Sequence, residues 1–312
     1  VGFAAVMVVP TLPSLDALTD YRPKIPLRVY SADDQLIGEF GEERRAVVQL
    51  AQVPKNLVNA IIAAEDERFY QHGGVDYLGV ARAALSNFAS GGVRQGASTI
   101  TMQVARNFFL TKEKTLTRKF NEMLLAFKIE ANLSKQQILE LYINQIYLGQ
   151  RAYGFASAAQ IYYGKPLNQL TIAESAMLAG LPKAPSRFNP VTNPARAKLR
   201  QQYVLKRMGE LGMITPQELA VADKEVLPVK QALNEYGVRA DYFVEMVRAQ
   251  MFERYGEEAY TRGLKVYTTL NVEHQKAAYH ALRKGVFEYD RRHGYRGPEA
   301  YVELSGEPTD ER

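Results

Sequence analysis

Two adjacent carboxylates, Glu65 and Asp66, stand at the end of an apolar helical run in the stretch IIAAEDERFYQHGG, residues 61–74. An aromatic residue and a histidine, Phe69 and His72, follow before a glycine pair stops the helix. A carboxylate at the end of an apolar helix can be partly desolvated, which raises its pKa toward the range that a general base needs. On spacing alone, the commoner alternative is an ordinary helix end with solvated acidic side chains.

Polar groups also collect in two later segments, where a core would need apolar ones. The stretch GASTITMQ, residues 96–103, places three hydroxyls and an amide at a predicted helix start, and the free backbone N–H groups there suit an anion. Arg106 follows one turn later. In RKFNE, Arg118 and Lys119 precede Glu122 by four and three residues, so all three can share one flank of a helix. The alternative for this trio is a surface salt bridge without further function.

Basic residues are concentrated in one part of the chain. From Arg94 to Lys135 there are eight basic and three acidic residues, a net charge of +5 that equals the charge of the whole chain. A local excess of this kind favours an anionic partner, which can be phosphate, nucleic acid or an anionic membrane. A solvated helix face is the alternative.

The composition excludes several kinds of site. With 312 residues, 46% hydrophobic and 23% charged, the chain is globular and long enough for more than one folded unit. It has no cysteine, which excludes disulfides, thiol nucleophiles and thiolate metal sites. The four histidines show none of the spacings typical of metal ligands.

Helices must position most of these side chains. Residues 25–31 and 35–40 alternate in character around a polar turn and predict a β-hairpin. Pro54 predicts the start of a helix that runs to the Glu65 region, and Asp76 can cap the next one. Further helices are predicted to start near Ser98 and to span about 114–132. Four more are marked by their N-terminal signals, which are Ser134 with Gln137, Thr171 with Glu174, Asn193-Pro194, and Thr215 with Glu218. The last predicted elements are a helix at about 241–255, a strand at 264–270 and a helix that ends at about Tyr289.

The two ends of the chain differ from its middle. Residues 1–9 are apolar and uncharged, but a membrane-spanning helix needs roughly 20 apolar residues. The charged flank and cleavage site of a signal peptide are missing as well. We expect the outer end of a membrane helix here, with a buried strand or a short core helix as the alternative. The composition shifts again near Leu227-Pro228, and the tail at 291–312 is polar, which predicts a second domain that is cut short.

Four motifs, taken together, resemble those of the peptidoglycan glycosyltransferases. EDERFYQHGG matches EDxxFxxHxG, GASTITMQ matches GxSTxxxQ, RKFNE matches RKxxE, and KQQILELYINQIYLG matches KxxILExYxNxxxxG. They occur in the family's order and near its spacing, within roughly residues 55–210. The chain is therefore similar to the glycosyltransferase family 51 domain of the bifunctional class A penicillin-binding proteins, of the 1a type.

Two positions depart from the family's pattern. The fifth motif, RRxxVL, has Gln201 where the second arginine belongs, which we expect to weaken a structural contact at most. Arg106 stands where many members have lysine, a change that alters geometry but keeps the charge needed to bind phosphate. The S-x-x-K and K-T-G motifs of a penicillin-sensitive transpeptidase do not occur, so that active site is absent from these 312 residues.

The resemblance implies a mainly α, lysozyme-like glycosyltransferase domain with a small N-terminal β-hairpin, followed by an α+β linker and the start of a second domain. Residues 1–22 would be a remnant of a transmembrane segment and juxtamembrane linker, 23–228 the glycosyltransferase domain, and 229–312 the linker and first elements of a truncated transpeptidase-side domain. The implied reaction joins lipid II units into glycan strands by inverting transfer and releases undecaprenyl pyrophosphate. Glu65 would be the general base and Glu122 the second catalytic carboxylate.

The same resemblance gives roles to the polar side chains. The positions that would bind substrate are Asp66, Phe69, His72, Ser98, Thr99, Gln103, Arg106, Lys114, Arg118 and Lys119. Arg106, Lys114 and Lys119 are expected at the donor's phosphates, and the cations beside Glu122 should keep that carboxylate ionised. His72 is expected to shape the wall of the cleft, with a packed histidine that fixes the loop as an equal alternative.

The expected partners are lipid II, the growing glycan strand and membrane lipids, with other cell-wall synthesis proteins and lipoprotein activators as further candidates and no nucleic acid. No cofactor is expected to be required, although a divalent ion near Glu122, Mg²⁺ or Mn²⁺, is one option. The segment 77–88 is expected to meet the membrane as an amphipathic lip, with core packing as the alternative.

The resemblance places the protein at the bacterial inner membrane, single-pass, with the catalytic domain on the periplasmic side, as a target of antibiotics such as moenomycin. Two other functions compete with glycan synthesis. One is a glycan-cleaving, lysozyme-like hydrolase or lytic transglycosylase, and the other is a non-catalytic glycan- or membrane-binding module. The basic cluster disfavours the first because glycan cleavage has no pyrophosphate leaving group, and the two intact carboxylates disfavour the second.

Overall fold

The structure is a computed structural model that describes residues 12–21, 23–82, 98–110, 116–229, 236–294 and 297–298. The mainly α fold class is confirmed. The helices are α1 Asp16–Thr19, α2 Lys55–Glu65, α3 Ile100–Phe109, α4 Leu116–Asn132, α5 Lys135–Gln145, α6 Phe155–Tyr163, α7 Ile172–Gly180, α8 Pro194–Glu210, α9 Pro216–Lys224, α10 Asp241–Tyr255 and α11 Val272–His293. The strands are β1 Leu27–Tyr30, β2 Leu36–Phe40, β3 Arg44–Arg45, β4 Ala152–Tyr153 and β5 Lys265–Tyr267.

The main core holds α2 in place from two sides. Its apolar face, with Leu57 and Ile61 fully buried, packs against α7 and α8. On the other side of the core, α3 packs against α4 and α5. Large aromatic side chains fill the space between these helices, among them Tyr142 and Phe155. The C-terminal end of α2, which carries Glu65, is tied to the N-terminal end of α3 by a hydrogen bond from the Ile100 N–H to Asp66.

The predicted helix starts are confirmed where a capping box signals them. Ser134, Thr171 and Thr215 each accept a hydrogen bond from the backbone N–H three residues later, and the residue there returns a side-chain bond. Such reciprocal bonds satisfy two amides that a helix start otherwise leaves unpaired. Asn193 occupies the cap position of α8, but its side chain bonds the Ser186 carbonyl instead of a helix amide.

The predicted hairpin is also confirmed, as part of a three-stranded sheet in the order β2-β1-β5. β1 runs antiparallel to β2 and parallel to β5. A small second core joins this sheet to α10 and the start of α11, with Val29 and Ile37 packed beside Val244 and Val272. Gly38 permits the close approach, because a Cβ there would lie 2.2 Å from a Val244 methyl carbon. The hairpin therefore shares its core with elements that follow residue 236, and the domain boundaries given above remain predictions.

Two predicted features fall partly outside the described residues. The apolar stretch 1–9 lies outside them, as does the predicted helix beyond residue 82. Residues 77–82 are helical, and Asp76 accepts a hydrogen bond from the Gly79 amide at 3.0 Å, as expected of a cap. Among the described helices, none combines the length and the apolar character needed to cross a membrane.

Candidate active site

A cleft of about 500 Å³ opens where α2 ends, between the N-terminal end of α3 and one side of α8. Four carboxylates line it together with five cationic side chains, which are Arg82, Arg106, Lys183, Arg200 and Arg207. Such a surface can hold an anionic ligand next to an acidic side chain. Of the basic segment 94–135 predicted to meet an anion, Arg106 is the one cation among the described residues that lines the cleft.

Glu65, the last residue of α2, lies inside this cleft with its side chain 11% exposed. Gln103 donates a hydrogen bond to Oε2 at 2.8 Å. Oε1 is buried and has no hydrogen-bond partner among the described residues, and the nearest cation, Arg200, lies 3.9 Å from it. Burial raises the pKa of Glu65, while the Gln103 bond and the charges of Arg200, Lys183 and Arg106 partly offset the increase. The direction agrees with the raised pKa expected from the sequence, and its main cause is burial of the side chain.

Asp66 holds the two helix ends together. Its Oδ2 accepts a hydrogen bond from the Ile100 backbone N–H at 2.9 Å, which ties the start of α3 to the end of α2. His72 Nε2 lies 2.9 and 3.0 Å from the two oxygens of the same carboxylate. Phe69 is fully buried, and the Lys135 ammonium lies 4.5 Å from the centroid of its ring. The packed-histidine alternative fits this arrangement, and substrate contact by these side chains remains a prediction.

Thr99 and Ser98 of the second motif have different partners. Thr99 is the N-cap of α3 and accepts a hydrogen bond from the Met102 N–H, while its hydroxyl donates to the Gly74 carbonyl at 2.6 Å. Ser98 instead accepts a hydrogen bond from Lys119 Nζ at 2.6 Å. The second motif thereby contacts the third. Lys114 lies outside the described residues.

Glu122 lies on α4 with its side chain fully buried and both oxygens close to cations. Oε1 is 3.3 Å from Arg118 Nε, and Oε2 is 2.9 Å from Lys119 Nζ. The predicted helix flank is therefore an ion-paired cluster rather than a solvated surface.

This cluster does not fit a divalent ion. An ion at Glu122 would compete with two cations that already pair with its oxygens, whereas Mg²⁺ and Mn²⁺ need carboxylate oxygens that are free to ligate. No group of three or more potential ligand residues suited to a metal occurs in the described part of the chain. We therefore derive no chemical step through a metal.

Four of the five cations that line the cleft, Arg82, Lys183, Arg200 and Arg207, were not among the predicted site residues, and two of them act on Glu65. Arg200 was visible as the first residue of the fifth motif, but nothing in the sequence indicated that it would reach Glu65. Lys183, in the turn after α7, had no motif to mark it, and it acts on Glu65 through its charge. Next to Arg200, Gln201 is fully buried and donates a hydrogen bond to the Ala173 carbonyl at 2.9 Å, so it connects α8 to α7 as a structural contact.

A larger cavity, of about 1100 Å³, lies between the hairpin and α6. Its charged side chains pair with each other, since Glu39 lies 2.8 Å from Arg28 and 3.6 Å from Arg44, and one net positive charge remains. It contains none of the motif carboxylates. The chemistry therefore belongs to the smaller cleft around Glu65.

Comparison with known proteins agrees with this geometry. A family model described as Transglycosylase matches residues 33–209, more than half of the chain. The chain belongs to the transglycosylase family. The transglycosylase region includes Glu65, Glu122 and the cations that surround them, and the resemblance found in the sequence is confirmed at the level of the family.

Curated relatives of this transglycosylase extend well beyond it in length. Penicillin-binding protein 1A from Neisseria cinerea is 58% identical over 312 residues, which cover 100% of this chain and 39% of that protein. Penicillin-binding protein 1A from Pseudomonas aeruginosa is 50% identical over 301 residues, which cover 96% of this chain and 36% of that protein. A crystal structure of penicillin-binding protein 1A from Haemophilus influenzae is 35% identical and covers 93% of this chain and 33% of that chain, with a TM-score of 0.49.

Proposed function

We propose that this chain is a peptidoglycan glycosyltransferase that joins lipid II units into glycan strands by inverting transfer. The observation that carries the proposal is Glu65, a carboxylate that burial holds at a raised pKa, with one oxygen unpaired, in a cleft lined by cations. Membership of the transglycosylase family and the high identity to penicillin-binding protein 1A of other bacteria support the same reaction.

The proposed chemical step is a single displacement at the donor sugar. The acceptor's 4-hydroxyl oxygen forms a new bond to the anomeric carbon of the donor as the bond from that carbon to the pyrophosphate oxygen breaks. Glu65 Oε1, which has no hydrogen-bond partner of its own among the described residues, accepts the hydroxyl proton. The electron pair of the broken bond leaves with the undecaprenyl pyrophosphate. Gln103 holds the other oxygen of Glu65, so the unpaired one is kept in a fixed direction.

The departing pyrophosphate needs positive charge that is already in place. Arg106 lines the cleft one turn after Gln103, and Lys119 bridges Ser98 and Glu122. Preorganised cations of this kind stabilise developing negative charge without rearranging during the reaction. In this account Glu122 does not transfer a proton; it fixes the direction of Lys119 and Arg118 by ion pairing.

Membrane contact is part of the proposal. Tyr77 and Leu78, in the helical residues 77–82, are about two-thirds exposed, and Gly79 and Arg82 of the same segment line the cleft. Exposed apolar side chains beside an active site suit the entry of a lipid-linked substrate from a membrane. We therefore propose the bacterial inner membrane as the location, with the cleft on the periplasmic side and lipid II, glycan and membrane lipids as partners.

The direct test is polymerisation of labelled lipid II in detergent, with the wild-type chain beside Glu65→Gln and Glu67→Gln. Glu67 lines the same cleft but pairs with Arg82 and Arg207, so its amide variant removes a cleft charge and leaves the base in place. We expect long, lysozyme-sensitive glycan from the wild type, none from Glu65→Gln, and product from Glu67→Gln. If the wild type leaves lipid II unchanged and shortens preformed glycan, the chain is a hydrolase and the proposal is wrong.

A further inference from the structure

We propose that Tyr203 forms a saccharide-binding platform on the wall of the cleft, where a pyranose ring of the glycan or of lipid II stacks. This inference rests on the proposed function, because it assumes that the ligand of the cleft is a glycan. Tyr203 is not one of the residues that define the family motifs, because it occupies a variable position, x, of RRxxVL.

The first observation is the position of Tyr203 on α8. Arg200, Tyr203 and Arg207 all line the cleft, and their spacing of three and then four residues places them on one stripe of the helix. The other side of α8 is buried in the main core. Tyr203 is 45% exposed, so a large part of the side chain is open to a ligand.

The second observation is that the ring is held in place from one side. The guanidinium carbon of Arg200 lies 4.5 Å from the centroid of the Tyr203 ring, a cation–π contact. The same guanidinium is 3.9 Å from Glu65 Oε1. Arg200 thus links the Tyr203 ring to Glu65, the proposed catalytic base. A sugar stacked on Tyr203 would therefore lie near the carboxylate that accepts the proton of the acceptor hydroxyl.

The chemistry of the surroundings favours a sugar over a lipid tail. The axial C–H bonds of a β-linked N-acetylhexosamine form an apolar face that packs on an aromatic ring, whose own face carries partial negative charge. The hydroxyls at the edge of that sugar need polar partners, and Arg207 and Lys183 line the same cleft. Arg207 already pairs with Glu67 and Glu210, but an acyl chain would offer no hydrogen-bond acceptor to Lys183. The ring therefore matches an amphipathic ligand better than a wholly apolar one.

The chain contains no tryptophan, which makes Tyr203→Trp a unique fluorescent reporter. We would titrate this variant of the whole chain with soluble, uncrosslinked GlcNAc–MurNAc oligosaccharides and, separately, with phospholipid vesicles that lack lipid II. The matched control is Tyr242→Trp, because Tyr242 is 92% exposed on α10 and does not line the cleft. We expect a saturable change in emission with the oligosaccharides for Tyr203→Trp and none for the control.

Three results would overturn the inference. They are an absent response to oligosaccharide, an equal response in both tryptophan variants, and a response of Tyr203→Trp to vesicles alone, which would indicate a lipid contact instead. Circular dichroism and the melting temperature establish that each variant is folded.

Kinetics provide a second, independent readout. We expect Tyr203→Ala to raise the KM for lipid II about two- to tenfold, the range of one aromatic stacking contact, and to leave kcat within about twofold. Tyr203→Phe keeps the ring and should behave like the wild type. If the wild type polymerises lipid II and Tyr203→Ala has an unchanged KM, the platform is wrong and the proposed function stands. If the wild type fails to polymerise lipid II, the proposed function fails, and the tryptophan titration still decides whether this ring binds a sugar.

Discussion

Glu65 and Glu122 are both buried carboxylates at helices of the same domain, yet their surroundings differ. Glu122 has a cation within 3.3 Å of one oxygen and another within 2.9 Å of the other. Glu65 has one hydrogen bond from an uncharged amide, one unpaired oxygen, and its nearest cation at 3.9 Å. One carboxylate is neutralised by close ion pairs, and the other is left partly uncompensated.

The comparison indicates how one fold can give different tasks to identical side chains. A buried carboxylate without a close counter-charge holds a proton more readily, which suits a general base. A buried carboxylate between two cations has its charge compensated by them, and its effect is to orient those cations. Two carboxylates whose environments differ in this way are the arrangement expected at a site of glycosyl transfer.

The largest effect should come from Glu65→Gln. Loss of a general base lowers kcat by about 10²–10⁴-fold. The folded state binds a proton at Glu65 more tightly than the unfolded chain does, because its pKa is raised above the ordinary glutamate value of 4.5. Protonated Glu65 therefore contributes stability in full below pH 4.5, and this contribution is lost as the pH rises through the raised pKa. At neutral pH the ionised side chain is therefore unfavourable, and the variant should melt at the wild-type temperature or above it. A clear drop in melting temperature would contradict the comparison.

Glu122→Gln should have a different profile, with lower stability and a smaller loss of activity. Replacing one member of an ion-paired cluster leaves its partners unsatisfied, which costs about 1–3 kcal/mol of unfolding free energy. We expect kcat to fall about 10- to 100-fold as Lys119 loses its fixed direction. Thermal melts and lipid II kinetics on the same preparation measure both effects.

The matched control for that experiment is Glu174→Gln. Glu174 is also buried and ion-paired, with Lys165 at 2.7 Å. Neither glutamate lines the cleft, but the Lys119 partner of Glu122 bonds Ser98, which does line it. The Glu174→Gln variant should lose stability without a comparable loss of kcat in the folded fraction. Equal losses of kcat in the two variants would mean that Glu122 acts through stability alone.

A smaller effect is expected when the cations near Glu65 are changed. Arg200 and Lys183 each lower the pKa of Glu65, and Arg200 does so more strongly. Arg200→Gln should therefore move the acidic limb of the kcat/KM profile to higher pH, and Lys183→Gln should move it in the same direction by less. Arg200→Lys keeps the charge and should stay near the wild type. If the acidic limb does not move in Arg200→Gln, the charge of Arg200 does not influence the protonation of Glu65 during the reaction.

The smallest effect should come from chelation. Because both oxygens of Glu122 are paired with cations, we expect EDTA to change the rate of polymerisation by less than about twofold. The rate before and after dialysis against EDTA, with Mg²⁺ or Mn²⁺ added back, measures this. A large loss that only the metal restores would show that a metal enters the site by displacing one of these cations.

Local signals in the sequence predicted much of this fold. The capping boxes at Ser134, Thr171 and Thr215 mark helix starts through bonds made within four residues, so neighbouring residues are sufficient to find them. The hairpin could also be predicted from neighbouring residues, because its two strands alternate in character around a short polar turn. Helix α6 was not predicted, because no capping residue precedes it: it follows Gly154, whose backbone adopts a φ of 82°.

Features that depend on distant contacts could not be predicted. The parallel pairing of β1 with β5 joins strands that are more than 200 residues apart in sequence, and an alternating pattern does not identify the partner of a strand. The motifs located Glu65 and Gln103, but not the 2.8 Å bond between them. Arg200 and Lys183 reach the cleft only because α7 and α8 pack on α2, which is a property of the tertiary core.

The central claim is that burial keeps Glu65 ready to accept a proton, and a direct titration tests it. We would follow the ¹³C resonance of the Glu65 side-chain carboxyl as a function of pH, assigned by its absence in Glu65→Gln. The account predicts a midpoint above 4.5, the ordinary value for glutamate. A midpoint at or below that value would mean that the surrounding cations outweigh burial, and Glu65 would then be a fixed charge rather than the base of the reaction.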